Sequence, residues 1–75
     1  MTLEEIFADV FTIPQSSVVD RLALKDIPTW DSMAHMHFIV RMEESYQVQF
    51  TGDEIANIRT VADARAALIA LGVKL

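Results

Sequence analysis

The segment from Asp31 to Tyr46 carries apolar residues on two opposite sides of one predicted helix. Successive side chains of a helix are about 100° apart, so the two sides can be separated by position. One side consists of His35, Phe38, Ile39, Met42 and Tyr46, and it is typical of a helix packed on a core. The other side consists of Met33, Met36, His37, Val40, Glu43 and Glu44. An outer helix of a small bundle normally keeps that side polar, so its apolar residues indicate a docking surface bordered by charge. The alternative is that the preceding loop folds over this side and buries it.

A short helix is predicted at the start of the chain. Thr2 and Glu5 have the spacing of a capping box, and Pro14 stops the pattern. The apolar stripe consists of Leu3, Ile6, Phe7, Val10 and Phe11, at helical period.

Two more helices are predicted in the last third of the chain. Capping-box spacing recurs at Thr51–Glu54, and at Thr60–Asp63 with an aspartate in the acidic position. Gly72 is well placed to end the last helix. The expected buried residues are Ile55 and Ile58 in the third helix and Val61, Ala64, Leu68 and Leu71 in the fourth.

The connection from Thr12 to Trp30 has no sustained periodicity. A loop of this length in a compact domain is usually functional or hides a short turn of helix, and its scattered apolar residues are expected to fix it to the core. Residues 1–75 form one domain, since 75 residues leave no room for a second core. The predicted fold is all-α, an irregular four-helix bundle with a long first loop and a short third helix.

Composition excludes several classes of function. The chain has no cysteine, which rules out thiolate catalysis and cysteine-ligated zinc. Its net charge of −5 disfavours nucleic acid and favours protein partners with basic patches. No apolar run reaches the roughly 20 residues that span a bilayer, and acids stand where a signal peptide carries Lys or Arg. We therefore expect a cytoplasmic monomer that binds no membrane.

Ser32 lies at the amino end of the second helix, directly after Asp31. Asp31 is a suitable N-cap, and its charge complements the positive end of the helix dipole. A phosphodiester on Ser32 would be stabilised by the same dipole and by the free N–H groups of the first turn. A group attached there would project beside the outer side of the helix.

These residues resemble the acyl carrier protein family, which includes peptidyl and aminoacyl carriers. Asp31-Ser32-Met33 is similar to the family's Asp-Ser-Leu. The resemblance runs without a gap from Thr29 to Val61. The matching residues include Glu43-Glu44-Ser45-Tyr46, Val48, Phe50, Asp53-Glu54-Ile55 and the segment Thr60-Val61-Ala62-Asp63. The first helix and loop match the family in length and apolar spacing.

The resemblance implies a covalent 4′-phosphopantetheine cofactor on Ser32, donated from coenzyme A by a phosphopantetheinyl transferase. Asp31 occupies the position of the acid that assists this transferase. The thiol of the arm would carry an acyl or aminoacyl group as a thioester, so the carrier needs no cysteine and is not itself an enzyme. The implied partners are acyl- or aminoacyl-activating ligases, synthases and transferases of fatty acid or secondary metabolite biosynthesis. They would contact the helix after the serine, through Met33, Met36, His37, Val40, Glu43 and Glu44.

Three residues depart from the family pattern. Trp30 replaces the small residue that commonly precedes the aspartate, His37 stands where fatty-acid carriers often have an acid, and Arg41 adds positive charge. These departures favour a stand-alone carrier with its own partners over the housekeeping fatty-acid carrier. Asp-Ser-Met also occurs in D-alanyl carriers, which keeps aminoacyl cargo open. Bulky Trp30, Phe38 and Tyr46 favour a short or polar cargo.

Three alternatives have different chemistry. An unmodified adaptor would use the Met33, Met36 and Val40 face without any reaction at the serine. A hydrolase would pair Ser32 with His35, yet the chain has no Gly-x-Ser-x-Gly motif and no evident carboxylate to orient the histidine. A metal site from His35 and His37 is disfavoured because residues two apart on a helix point roughly 160° apart.

Overall fold

The computed structural model describes residues 1–75 and confirms the predicted all-α fold. Its helices are α1 Leu3–Phe11, α2 Ser32–Tyr46, α3 Gly52–Asn57 and α4 Val61–Ala70. The loop between α1 and α2 contains two turns of 3₁₀-helix, Gln15–Ser17 and Leu24–Asp26, as its length predicted. The structure has no strand, and its one isolated bridge joins Ala23 to Thr60. None of the helices is both long and apolar enough to cross a membrane.

The helices begin where the capping signals place them. Asp31 caps α2, and its Oδ1 accepts a hydrogen bond from the Ala34 N–H at 2.7 Å. The capping boxes of α1, α3 and α4 all form, through Thr2–Glu5, Thr51–Glu54 and Thr60–Asp63. These bonds satisfy N–H groups that lack a partner within the helix.

The helix ends depend on residues in the left-handed region. Thr12 (φ 55°) follows α1 and Gln47 (φ 57°) follows α2, although neither is glycine. Gly72 (φ 89°) follows α4, as predicted. There the Gly72 N–H donates to Ile69 and the Val73 N–H donates to Leu68, which is the Schellman pattern. At the other end of the chain, the left-handed conformation of Thr12 ends α1 two residues before Pro14.

Three phenylalanines form the centre of the core. Phe38 of α2 stacks against Phe7 of α1 with ring centroids 4.2 Å apart, and Phe11 lies 5.6 Å from Phe38. All three are fully buried, and no polar or charged residue is. The other buried residues are Leu3, Ile6, Val18, Leu24, Ile27, Ile39, Met42, Phe50, Ile58, Val61, Ala64 and Leu68.

The predicted core of α4 is wrong at one position. Leu71 is 38% exposed, whereas Val61, Ala64 and Leu68 are buried. The helix ends at Ala70, so Leu71 leaves the helical period just where the stripe would have returned to the core. Ile58 is buried as predicted but follows α3 as its C-cap, and Ile55 within α3 is only partly buried.

The long loop is fixed to the start of α4 and to the connection before it by backbone hydrogen bonds. The Leu24 N–H donates to the Arg59 carbonyl at 2.9 Å, and the Val61 N–H donates to the Leu22 carbonyl at 3.1 Å. Arg65 of α4 adds ion pairs to Asp20 of the loop and to Glu4 of α1. These contacts hold the loop away from the outer side of α2.

Candidate functional site

Ser32 is the first residue of α2 and is exposed to solvent. Asp31 before it is extended (φ −152°), and its carbonyl accepts the first helical hydrogen bond, from the His35 N–H at 2.9 Å. The N–H groups of Ser32 and Met33 precede that bond in the chain, so they face the helix terminus. The site thus combines an accessible hydroxyl with the positive end of a fifteen-residue helix.

Trp30 and His35 close the first turn of α2 from the side. The Trp30 Nε1–H donates to His35 Nδ1 at 3.2 Å, and the two rings meet edge to face at 6.0 Å. His35 Nε2 lies 3.0 Å from the Ile55 carbonyl. An indole N–H can only donate, so Nδ1 is the acceptor and Nε2 carries the proton that bonds to Ile55. This chain of two hydrogen bonds ties the start of α2 to α3.

The same bonds argue against a hydrolase. His35 Nδ1 already accepts from Trp30, and Nε2 donates to Ile55, so neither nitrogen is free to accept a proton from Ser32. His37 is exposed on another side of α2. No cluster of three metal-ligating side chains occurs in the chain.

Thr29 provides an anchor that the sequence did not reveal. Its hydroxyl donates to the Phe11 carbonyl at the end of α1, where helical carbonyls lack partners. The residues directly before the Asp-Ser pair are therefore held against α1. A threonine two residues before an N-cap has no distinctive spacing, so only the fold shows this contact.

The outer side of α2 is open. Met33 is 81% exposed, Met36 46% and Val40 43%, and His37 and Glu44 are also exposed. The loop from Thr12 to Trp30 does not cover them. Together, Met33, Met36 and Val40 form what we call the outer apolar face.

Two charged residues near this face have partners within the chain. Glu43 is partly buried, and its Oε2 accepts from the Phe50 N–H at 2.9 Å, which closes the connection after α2. The guanidinium of Arg41 lies 2.8 Å from Asp9 of α1. The extra positive charge that the sequence places on α2 is therefore compensated by a carboxylate. Glu44 forms no ion pair in the chain.

A cavity of about 610 Å³ opens beside the start of α2. Its walls include Leu24 of the loop, Trp30, His35 and Ile58, with Lys25 and Arg59 among its charged groups. Small residues and methionine, such as the alanines of α4 and Met42, are compatible with either a space between helices or close helix packing. Met42 and Ala64 are fully buried and do not line this cavity, so the room lies at the edge of the bundle.

Comparisons with known proteins identify the family. The acyl carrier protein of Acidothermus cellulolyticus is 36% identical over 62 residues, which are 83% of this chain and 74% of that protein. The chain belongs to the acyl carrier protein family. The acyl carrier protein of Kineococcus radiotolerans is 33% identical over 64 residues, 85% of this chain and 79% of its own. No family model matches the chain.

A solved structure agrees with this assignment. The acyl carrier protein from Enterococcus faecalis superposes with a TM-score of 0.68 at 26% identity, over 93% of this chain and 98% of that one. Acyl carrier proteins are carriers and have no catalytic activity of their own, so this chain has the role of an acyl carrier rather than that of an enzyme. The unmodified adaptor is not favoured.

Proposed function

We propose that Ser32 carries a 4′-phosphopantetheine arm and that the chain presents an acyl or aminoacyl group, held on it as a thioester, to enzymes of a biosynthetic pathway. The observation that carries this proposal is the exposed Ser32 hydroxyl at the first position of α2, directly after the N-cap Asp31. Membership of the acyl carrier protein family supports it, because phosphopantetheine is the cofactor of that family.

The residues around Ser32 fit a phosphodiester. The hydroxyl takes part in none of the side-chain hydrogen bonds of the chain, and the helix terminus supplies N–H groups and a favourable dipole for negative charge. In the transfer from coenzyme A, the Ser32 oxygen gains the phosphorus and loses its proton, and adenosine 3′,5′-bisphosphate leaves. When attached, the arm supplies the thiol that this cysteine-free chain lacks.

Asp31 has two roles in this proposal. Its Oδ1 holds the Ala34 N–H, which keeps Ser32 at the first helical position. Its Oδ2 forms no hydrogen bond within the chain and is available to the transferase. Asp31 thus positions the serine and assists the modification.

The proposed docking surface is the outer apolar face with His37, Glu43 and Glu44. Methionine side chains repack readily and suit a surface that meets several partners. Glu44 supplies a free carboxylate for a basic patch, while Glu43 shares its carboxylate with the Phe50 N–H. Because this face begins at Met33, directly after Ser32, a partner bound there lies next to the arm.

Intact-mass measurement tests the attachment. Coexpression with a broad-specificity phosphopantetheinyl transferase should add one arm to the wild-type chain and none to Ser32→Ala. Ser45→Ala is the matched control, because Ser45 is also exposed but lies in the last turn of α2. An unmodified wild-type chain would refute the carrier proposal and leave the adaptor. Loss of the arm in Ser45→Ala alone would place the attachment elsewhere.

The docking face has its own test, with the transferase as the partner. Val40→Gln should raise KM for the carrier several-fold, since it removes apolar contact area at the interface. Ile69→Gln is the control, because Ile69 is 54% exposed but lies on α4. Equal KM values for the two variants would contradict docking through α2.

A further inference from the structure

The cavity beside α2 combines apolar walls with positive charge. Leu24 and Ile58 are almost fully buried, and Trp30 is 37% exposed. Lys25 and Arg59 contribute the charged groups, and neither Asp nor Glu is among the lining residues. A space of this size and composition is typical of a small-molecule site.

The positive charge is unusual for this chain. The net charge is −5, and only 6 residues are Lys or Arg. Arg41 and Arg65 are neutralised by ion pairs with Asp9, Glu4 and Asp20. Lys25 and Arg59 form no ion pair. The loop and the α3–α4 connection thus bring two uncompensated cations to one cavity of an acidic protein, which favours an anionic occupant.

The cavity lies where the arm would begin. Trp30 and His35, which line it, are hydrogen-bonded to each other across the first turn of α2, and Ser32 is between them in the sequence. The phosphodiester itself would have the N–H groups and dipole of the helix terminus. Lys25 and Arg59 are therefore left for a second negative charge, farther along the arm.

We propose that this cavity holds a short acyl group that ends in a carboxylate, with its methylene groups against the apolar walls and its carboxylate between Lys25 and Arg59. The inference rests on the proposed attachment at Ser32. A neutral acyl group of the same length gains the apolar contact only. The carrier therefore protects a dicarboxylic monothioester better than the corresponding fatty acyl thioester.

The test compares two cargoes of equal length on the full chain. Amide-linked coenzyme A analogues bearing a succinyl or a butanoyl group are transferred to Ser32, and intact mass confirms that each protein carries one arm. The chain has a single tryptophan, so its indole N–H gives one NMR signal from inside the cavity. Thermal unfolding is measured in parallel on the apo, holo, butanoyl and succinyl forms.

The succinyl form should unfold about 4 °C above the butanoyl form, because two partly exposed ion pairs form only with the carboxylate. Its Trp30 indole signal and the amide signals of Lys25 and Arg59 should shift beyond those of the holo form. In Lys25→Gln/Arg59→Gln the difference between cargoes should disappear. It should persist in Arg21→Gln/Lys74→Gln, which removes the same charge outside the cavity, and shrink in 1 M salt.

Two results would overturn the inference. Equal unfolding temperatures and signals for the succinyl and butanoyl forms would show that the cations do not select a carboxylate. The amide signals of Lys25 and Arg59 could also shift between the apo and holo forms and then stay unchanged with either cargo. That result would show that the two cations bind the phosphodiester. If only this inference is wrong, the mass spectrum still shows the arm on Ser32. If the proposed function is wrong, the arm is not added at all.

Discussion

Replacement of Asp31 by alanine should destabilise the protein without removing the attachment site. The substitution deletes the 2.7 Å hydrogen bond from the Ala34 N–H and a charge at the positive end of α2. Loss of an N-cap costs about 1 kcal/mol, within a range of roughly 0.5–2 kcal/mol. In a domain of this size, that change lowers Tm by about 4–8 °C. Urea and thermal unfolding of the apo form, followed by far-UV circular dichroism, measure the effect.

Asp31→Asn separates the two contributions. The amide oxygen still accepts from Ala34, so the cap remains and only the charge–dipole interaction of about 0.3–1 kcal/mol is lost. We expect its stability to lie between those of wild type and Asp31→Ala. If the carboxylate assists the transferase, both variants are modified slowly, although Asp31→Asn is well folded. Wild-type stability in Asp31→Ala, or equal losses in both variants, would refute the capping argument.

Four further substitutions test the fold. Gly52→Ala should stabilise the protein by about 0.4–1 kcal/mol, since Gly52 is in α3 with open space where a Cβ would lie. Gly72→Ala should destabilise it by about 1 kcal/mol, because φ is 89° there. Stability changes of the same sign for both variants in urea unfolding would contradict the backbone argument. Phe38→Ala should cost about 3–5 kcal/mol by opening a cavity between Phe7 and α2, and circular dichroism should then show a largely lost cooperative transition. The Arg65 guanidinium lowers the pKa of Glu4 in the folded protein. The ionised carboxylate therefore contributes stability above its unfolded pKa near 4.5. This contribution is lost as the pH falls through the lower pKa of the folded state. Glu4→Gln should therefore be less stable than wild type by ~0.5 kcal/mol at pH 7 and should match wild type near pH 2. A stability difference between the two proteins that does not depend on pH would contradict this.

The start of each helix could be predicted from the sequence because capping is local. In Thr2–Glu5, Thr51–Glu54 and Thr60–Asp63, both partners of the bond lie three residues apart and need no tertiary structure to meet. The end of a helix was harder to predict. Thr12 and Gln47 adopt the left-handed conformation without being glycine, so their residue types carry no clear signal.

The candidate site was predictable in part for the same reason. Asp31 is the residue before Ser32, and its bond from the Ala34 N–H follows from the geometry of a helix start. Glu43 differs, because its bond to the Phe50 N–H depends on how the chain leaves α2. The exposure of Leu71 was missed because the helix ends one residue earlier.

The sequence alone determines that α2 begins at Ser32 behind an aspartate cap and that the helix is apolar on two sides. It also sets the acidic charge and the absence of cysteine. The tertiary structure decides which apolar side is buried, and it alone brings Lys25 and Arg59 to one cavity beside Trp30. Caps and periodicity arise from neighbours within about one helical turn. The cavity arises where Leu24 of the loop binds Arg59 of the α3–α4 connection, and such distant pairing depends on the packing of the whole chain.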